Sequence, residues 1–449
     1  MNRIAGRARA TVVLVLLLVS GFIFFLVEFF VKADSWVVFP NSPHVYNNGN
    51  IDYGVVTDRE QYLILDLRDG RTYAEDTQLR KSTVHWVGDR YGEISAPAVP
   101  EYATQMVGFD YLNGLYSYEE AVGVAELTLS ARAQRAALNA LGSYNGTVAV
   151  YNYETGELIC AVSTPTYDPD HITEEVDGMY VNNFTSSESY IPGSIFKIVT
   201  LAAALDCIAD IEQQTFTCTG SIDFGPDQVT CEGAHWDQDL KTAFRNSCNC
   251  AFAQIALQIG GARLEQYAHQ FGLTEPIVFD GIETGVCNVD AAGEADVNVA
   301  WSGIGQHRDQ INPCSYLTFV GAIANGGKGV NPYVVNSVRV GNDTTYRAET
   351  QNRTRIMSEK TAKKIQEYML FNVQDKYGSE NFPGMTVGAK TGTGEVGGEK
   401  KPNAMLTGFV EDEQYPLAFI VAVEDGGYGA QVCIPIISQV LEACVESMN

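Results

Sequence analysis

The chain is short of basic residues: its 449 residues hold 29 Lys and Arg against 55 Asp and Glu, a formal net charge of −26. Gripping nucleic acid needs basic patches that neutralise phosphates, so nucleic acid is excluded as a partner. The same acidic surface is repelled by anionic lipid headgroups and serves solubility. No low-complexity tract and no fixed-period repeat occurs, which excludes solenoids, propellers and fibrous arrays. The ten cysteines include no C-x-x-C, so zinc-ribbon and thioredoxin-type redox chemistry lack their spacing.

What is present begins at the N-terminus. MNRIAGRARA carries Arg3, Arg7 and Arg9 and no acid, and Thr11–Val31 follows with one charge, Glu28. At about 1.5 Å per residue that run spans roughly 30 Å, the hydrocarbon core of a bilayer. The arginines assign the N-terminus to the cytoplasm and the bulk of the chain to the outside. The rival is a cleaved signal peptide, whose apolar region is shorter and ends in a small-x-small site. The expectation is an uncleaved single-pass anchor over residues 1–32. Outside the cell disulfides are permitted. Cys218 and Cys231 bracket CTGSIDFGPDQVTC, which can close as a disulfide hairpin, and Cys231, His235, Cys248 and Cys250 are the residues from which a metal site could be made.

Residues 33 to about 114 mix short alternating runs (YGVV, QYLILDL, STVHWVG) with turn residues and predict a small strand-rich module, within a first domain expected over residues 33–142. SARAQRAALNAL predicts a helix with Ser130 as N-cap and Gly142 as stop. GTVAVYNYETGELICAVST predicts a hairpin turning at Thr155-Gly156. Helical text dominates from Ser194 to about Gly327. Strands return at MTVGAKTGT, NAMLTGFV and PLAFIVAVE, before a last helix over about 435–447. Residues 143–449 thus form one α+β domain, an antiparallel sheet drawn from both ends of its sequence with helices inserted between.

The chemistry gathers in three places. In YIPGSIFKIVTLAAAL a Pro-Gly turn puts Ser194 at a helix start, and Lys197, one turn on, reaches the Ser194 hydroxyl. The helix is apolar nearly all round, and burial lowers a lysine's pKa. A neutral amine beside a serine hydroxyl is a general base beside a nucleophile, and helix N-terminal N–H groups suit developing negative charge. The bland alternative is a surface lysine snorkelling at a helix start. Lys390-Thr391-Gly392-Thr393, in strand text, offers a cation and hydroxyls to an anionic ligand, with a glycine where another backbone comes close. Among Ser143, Ser247 and Ser379, each opening an S-x-N, only Ser247-Cys248-Asn249 sits between helical stretches that could aim it.

These three motifs together resemble a class B penicillin-binding protein, a peptidoglycan D,D-transpeptidase. YIPGSIFK is similar to the family's nucleophile segment, NSCN to its second motif and GAKTGTGE to its third. TGELICAVSTPTYDP, GQHRDQINP and AIANGG resemble the segments around them. GVVTDR at 54–59 and RKSTVHWVG at 80–88 look like pieces of the N-terminal pedestal. Departures are Tyr53 for a usual arginine, Met405-Leu406 for usual aromatics and Gly394 for a usual alanine. The resemblance implies a penicillin-binding, serine β-lactamase-like transpeptidase fold with a helical subdomain, behind a membrane helix and a pedestal. It implies Ser194 as nucleophile and Lys197 as base. Ser247 relays the proton with Lys390 beside it, and Asn249 holds the peptide amide. Thr391, Gly392 and Thr393 bind substrate, and N–H groups of Ser194 and Thr393 form the oxyanion hole. It implies stem peptides as substrate, β-lactams as acylating ligands, no metal or organic cofactor, and a SEDS-family glycosyltransferase as partner, contacted around Asp58–Arg59 and Val84–Gly88.

Competing activities share the motifs. A serine β-lactamase lacks a pedestal and needs a base for deacylation, for which no class A carboxylate motif follows Ser247. A D,D-carboxypeptidase carries its extra domain behind the catalytic one. A non-catalytic scaffold would support growth without Ser194.

Overall fold

The computed structural model describes residues 2–449 apart from 40–41, 43–45, 48–49, 52, 69, 111–113, 117–121, 173 and 188–189. The first element is one helix, Asn2–Val37. Its stretch Ile4–Ala33 has mean hydropathy 2.9 and no buried residues in its most apolar window, so it is long and apolar enough to cross a membrane.

The catalytic half is built on a five-stranded antiparallel sheet, in the order Leu158–Thr164, Gly146–Asn152, Leu417–Val423, Asn403–Val410, Val387–Gly394. Both ends of the catalytic sequence contribute, as expected. Side chains alternate between two apolar layers. Val148, Val150, Ile159, Val162 and Val421 pack with the helices Ala131–Leu141 and Gly429–Met448. Ala149, Tyr151, Ala161, Ile420 and Ala422 face the other way, into the core shared with the central helices Lys197–Cys207, Asn249–Ile259 and Pro313–Ala324. Among the described residues the strand Val387–Gly394 lies at the sheet's edge, paired only with Asn403–Val410.

Ser130 caps its helix by accepting from the Ala133 amide, and Gly142 ends it at φ 56°. The last helix begins at Gly429, earlier than the expected 435, and carries Pro435 inside it. Its start is pinned against the sheet: a Cβ on Gly429 would stand 2.3 Å from the Gly392 carbonyl oxygen.

The expected division at residue 142 does not coincide with a break in packing. The pedestal sheet has six strands, Asp343–Arg347, Val335–Val340, Gly123–Leu127, Val55–Thr57, Leu63–Asp66 and Thr72–Tyr73, so two come from beyond residue 330. The helix Ala131–Leu141 belongs to the catalytic core. The joint is also polar. Arg80 makes a two-pronged ion pair with Asp168 (2.8 and 2.6 Å), Trp86 Nε1 donates to the Ala161 carbonyl (2.7 Å), and Asp58 Oδ2 accepts from the Ala131 amide (2.8 Å).

Most of the expected partner surface is buried, Arg59 alone keeping partial exposure. Asp58 and Val84 have no exposed surface and Trp86 has 2%. These residues join the two halves of the chain and are unavailable to a partner.

Candidate active site

Ser194 lies in a 3-10 turn, Gly193–Phe196, that runs directly into the helix Lys197–Cys207. In a 3-10 turn residues three apart eclipse one another, which stacks Lys197 on Ser194. The turn requires glycine. Gly193 has φ 54°, and a Cβ there would stand 2.1 Å from the Thr393 carbonyl oxygen. Gly392 is equally constrained, its Cβ position lying 2.5 Å from the Pro192 carbonyl oxygen. The two glycines let the nucleophile turn and the KTG strand meet backbone to backbone.

Lys197 Nζ lies 2.9 Å from Ser194 Oγ, 3.3 Å from Ser247 Oγ, 2.6 Å from the Ser247 carbonyl oxygen and 2.7 Å from Asn249 Oδ1. Lys390 Nζ donates to Ser247 Oγ (2.9 Å) and to the Thr391 carbonyl (2.8 Å). Ser247 reaches both amines because it ends the helix Leu240–Asn246 in the left-handed region, at φ 57° and ψ 37°. Asn249 then opens the next helix, Asn249–Ile259, capped by Cys248. The break between the two helices aims Ser247 and Asn249 inward.

Both lysines are fully buried, against the rings of Phe252 and Phe244. Burial lowers the Lys197 pKa to about 8, opposed by nearby Cys231, Cys248 and Glu232. Lys390 is pushed well below the ordinary lysine value, first by burial and then by the charge of Lys197. Two ammonium groups sharing one hydroxyl cannot both stay charged at little cost, so the pair readily gives up a proton. That pair is the chemical resource of the site: a free amine beside a serine, with a second cation nearby.

Every expected site residue comes together here. Ser194, Ser247, Asn249, Thr391 and Thr393 keep some exposure, while Lys197, Lys390 and Gly392 are buried. Three supporting residues were not anticipated. Tyr377 OH hydrogen-bonds Thr391 Oγ1 (3.0 Å) and accepts from the Thr391 amide (3.2 Å). Gln306 Nε2 donates to the Thr393 carbonyl (3.5 Å), and Tyr316 OH to the Ile195 carbonyl (2.7 Å). Tyr377 closes a helical run before Gly378, and GQHRDQINP marks Gln306 as part of a motif segment, but neither pattern says what the side chain touches. The Cys218–Cys231 disulfide that the spacing allows is not formed; both are free thiols, and so are the other eight cysteines. The metal-type cluster contains Cys218, Cys231, His235 and Cys248, with Cys218 in place of the Cys250 of the set the sequence allowed.

A model of the penicillin binding protein transpeptidase domain matches residues 146–442. The peptidoglycan D,D-transpeptidase PbpA of Mycobacterium tuberculosis is 28% identical over 359 residues, covering 72% of this chain and 73% of its own. The stage V sporulation protein D of Bacillus subtilis is 26% identical over 390 residues, covering 82% of this chain and 58% of its own. Among solved structures, penicillin-binding protein A from M. tuberculosis as its penicillin G acyl-enzyme superposes with TM-score 0.73 at 24% identity, covering 88% of this chain and 99% of that one. The motif serines and lysines, their geometry and the matched domain lead to one family: the chain belongs to the penicillin-binding protein transpeptidases, as a class B member.

Proposed function

We propose that this chain is a membrane-anchored D,D-transpeptidase that cross-links peptidoglycan stem peptides through an acyl-enzyme on Ser194. The observation that carries the reading is the unbroken relay Ser194 Oγ, Lys197 Nζ, Ser247 Oγ, Lys390 Nζ, with steps of 2.9, 3.3 and 2.9 Å, beside a strand at the sheet's edge. The donor peptide adds to that edge as an extra strand. Thr391 and Thr393 hold its terminal carboxylate near Lys390, and Asn249 holds its amide. Gly392, with no side chain between them, lets the strand approach the turn.

Ser194 Oγ attacks the carbonyl carbon between the last two D-alanines, and its proton passes to neutral Lys197. The oxyanion is met by the N–H groups of Ser194 and Thr393. The C–N bond breaks, the proton travels through Ser247 to the leaving amine, and D-alanine departs. An amine of a neighbouring stem peptide then attacks the ester, returns its proton along the same relay and frees Ser194. A β-lactam enters the same cycle, but its leaving amine stays tethered. No step calls for a metal or organic cofactor.

Fluorescent penicillin should label the chain at one label per protein, and Ser194→Ala should abolish labelling. Persistent labelling would sink the assignment. Fast turnover of a chromogenic cephalosporin would instead identify a β-lactamase. D-alanine release to water in preference to an added amine would identify a carboxypeptidase.

The N-terminal arginines support an orientation with the N-terminus cytoplasmic and the catalytic domain outside. The pedestal then stands between bilayer and active site, suited to contact a SEDS-family glycosyltransferase. Docking has to use residues that remain exposed, such as Tyr62 and Leu63, 54% and 42% accessible.

A further inference from the structure

Behind the S-x-N motif lies a group of side chains that the acyl-transfer reading does not use. Cys218 ends the strand Phe216–Cys218, Cys231 follows the strand Asp227–Thr230, His235 is in the next loop, and Cys248 is the middle residue of Ser247-Cys248-Asn249. Their four donor atoms all lie within 4.8 Å of one another. His235 Nδ1 is 3.6 Å from Cys218 Sγ and 3.5 Å from Cys231 Sγ, and the sulfurs of Cys231 and Cys248 are 4.0 Å apart.

These three separations lie close to the edges of a coordination tetrahedron, and the other three stay within 4.8 Å. Zinc–sulfur bonds of about 2.3 Å and zinc–nitrogen bonds of about 2.0–2.1 Å put ligand atoms roughly 3.5–3.8 Å apart. Backbone amides already point at two of the sulfurs: Asn249 N–H donates to Cys231 Sγ (3.3 Å) and Ala251 N–H to Cys248 Sγ (3.4 Å). Such donors support the negative charge of a metal-bound thiolate. An imidazole converging with three sulfurs is what a tetrahedral metal requires, whereas a disulfide would use two of the sulfurs and leave the third sulfur and the imidazole without a role. The surrounding segment also lacks a core of its own. Of the residues in the hairpin Ser221–Phe224 and Asp227–Thr230, only Val229 is buried. Small excursions of this kind need a staple.

We propose that Cys218, Cys231, His235 and Cys248 bind one zinc ion as a closed Cys3His structural site. Binding releases the three thiol protons and leaves the site with a net charge of about −1. All four positions of the metal are filled by protein, so it offers no place for substrate. Its effect is positional. Cys248 is bonded through the chain to Ser247 on one side and Asn249 on the other, and the metal ties that tripeptide to the hairpin. The Thr230 carbonyl, next to Cys231, accepts from Asn249 Nδ2 (2.8 Å), which holds Oδ1 turned towards Lys197. The consequence for acylation rests on the proposed roles of Ser247 and Asn249. The metal site itself does not.

The test is metal content of the full-length chain purified in detergent without chelator, with thiol mapping on unreduced protein. One zinc per chain is expected, and cobalt(II) replacement should give the intense visible bands of a tetrahedral thiolate site. His235→Ala, on a half-exposed loop, and Cys231→Ser should each lose stoichiometric zinc, while Cys250→Ser should keep it. Chelation should slow acylation by fluorescent penicillin by about 10²-fold, the cost of displacing a positioned group by an ångström or so, with recovery on adding zinc. Unchanged acylation in a chain that binds one zinc would remove the positional role and leave the site. Metal-free protein with a Cys231–Cys248 disulfide, or full zinc retained in both His235→Ala and Cys231→Ser, would overturn the site.

Discussion

Lys197 is where burial becomes chemistry. An exposed lysine at its ordinary pKa of about 10.4 is almost wholly charged at neutral pH and cannot accept a proton. Burial brings Lys197 to about 8, so a useful fraction is free amine near neutrality. The sign is definite: the neutral form is the base, so acylation should rise with pH up to about 8 and then level off. Below that point the rate should fall by about tenfold per pH unit. Acylation rates with a penicillin whose own charge is constant over the range would show this, and a flat profile below neutrality would exclude Lys197 as the base. Lys197→Ala should slow acylation by roughly 10²–10⁴-fold at pH 8 and above, the usual worth of a positioned base, and should flatten the profile, so that the gap to the parent narrows as pH falls. Ser194 and Lys197 were legible in the sequence because one turn separates them and the helix around them is apolar. Lys390, Ser247 and Asn249 were legible only through the family's motifs. Tyr377 and Gln306 were not legible, since each meets its partner across a long sequence separation that only folding closes.

At the scale of elements, the site depends on how closely a turn and a strand approach. Gly193 and Gly392 leave no room for a Cβ between Ser194 and the KTG strand. Gly193→Ala should therefore force the turn away from Thr393. It should move Ser194 relative to the backbone amides proposed to bind the oxyanion. A shift of about 1 Å costs about 10²-fold in rate, so labelling should slow by that order. The thermal unfolding midpoint should change little, because the turn is one short element among many. Loss of fold, or a rate within a few-fold of the parent, would each contradict the close-approach argument. The strand runs and the hairpin at Thr155-Gly156 were readable from alternation and turn residues. The start of the last helix was not, because Gly429 is held by contact with Gly392 and Met405 and not by a local capping signal.

For the whole molecule the question is whether pedestal and catalytic half are separate folding units. The boundary was expected at Gly142, where the helix after Ser130 stops, but the packing crosses it. Val335–Val340 pairs with Gly123–Leu127, and nothing local in either strand names the other as partner. Ala133, Ala137, Leu138 and Leu141 fill the layer beneath the last helix. Each leucine of that kind contributes about 1.5–3 kcal/mol on burial. A domain's whole margin is about 5–15 kcal/mol. A chain that begins at residue 143 loses this helix and the pedestal strand together, and leaves the face of Gly429–Met448 open to water. It should be insoluble or unfolded and should take no penicillin label. A chain that begins at residue 38, lacking only the apolar helix, should label fully and unfold in a single transition by calorimetry. Arg80→Met in that chain breaks the buried pair with Asp168, a loss worth about 3–5 kcal/mol, and should lower the one transition without splitting it. Two resolved transitions, or a folded and labelled chain starting at 143, would show that the halves stand alone and that the polar joint through Arg80, Trp86 and Asp58 merely aligns them.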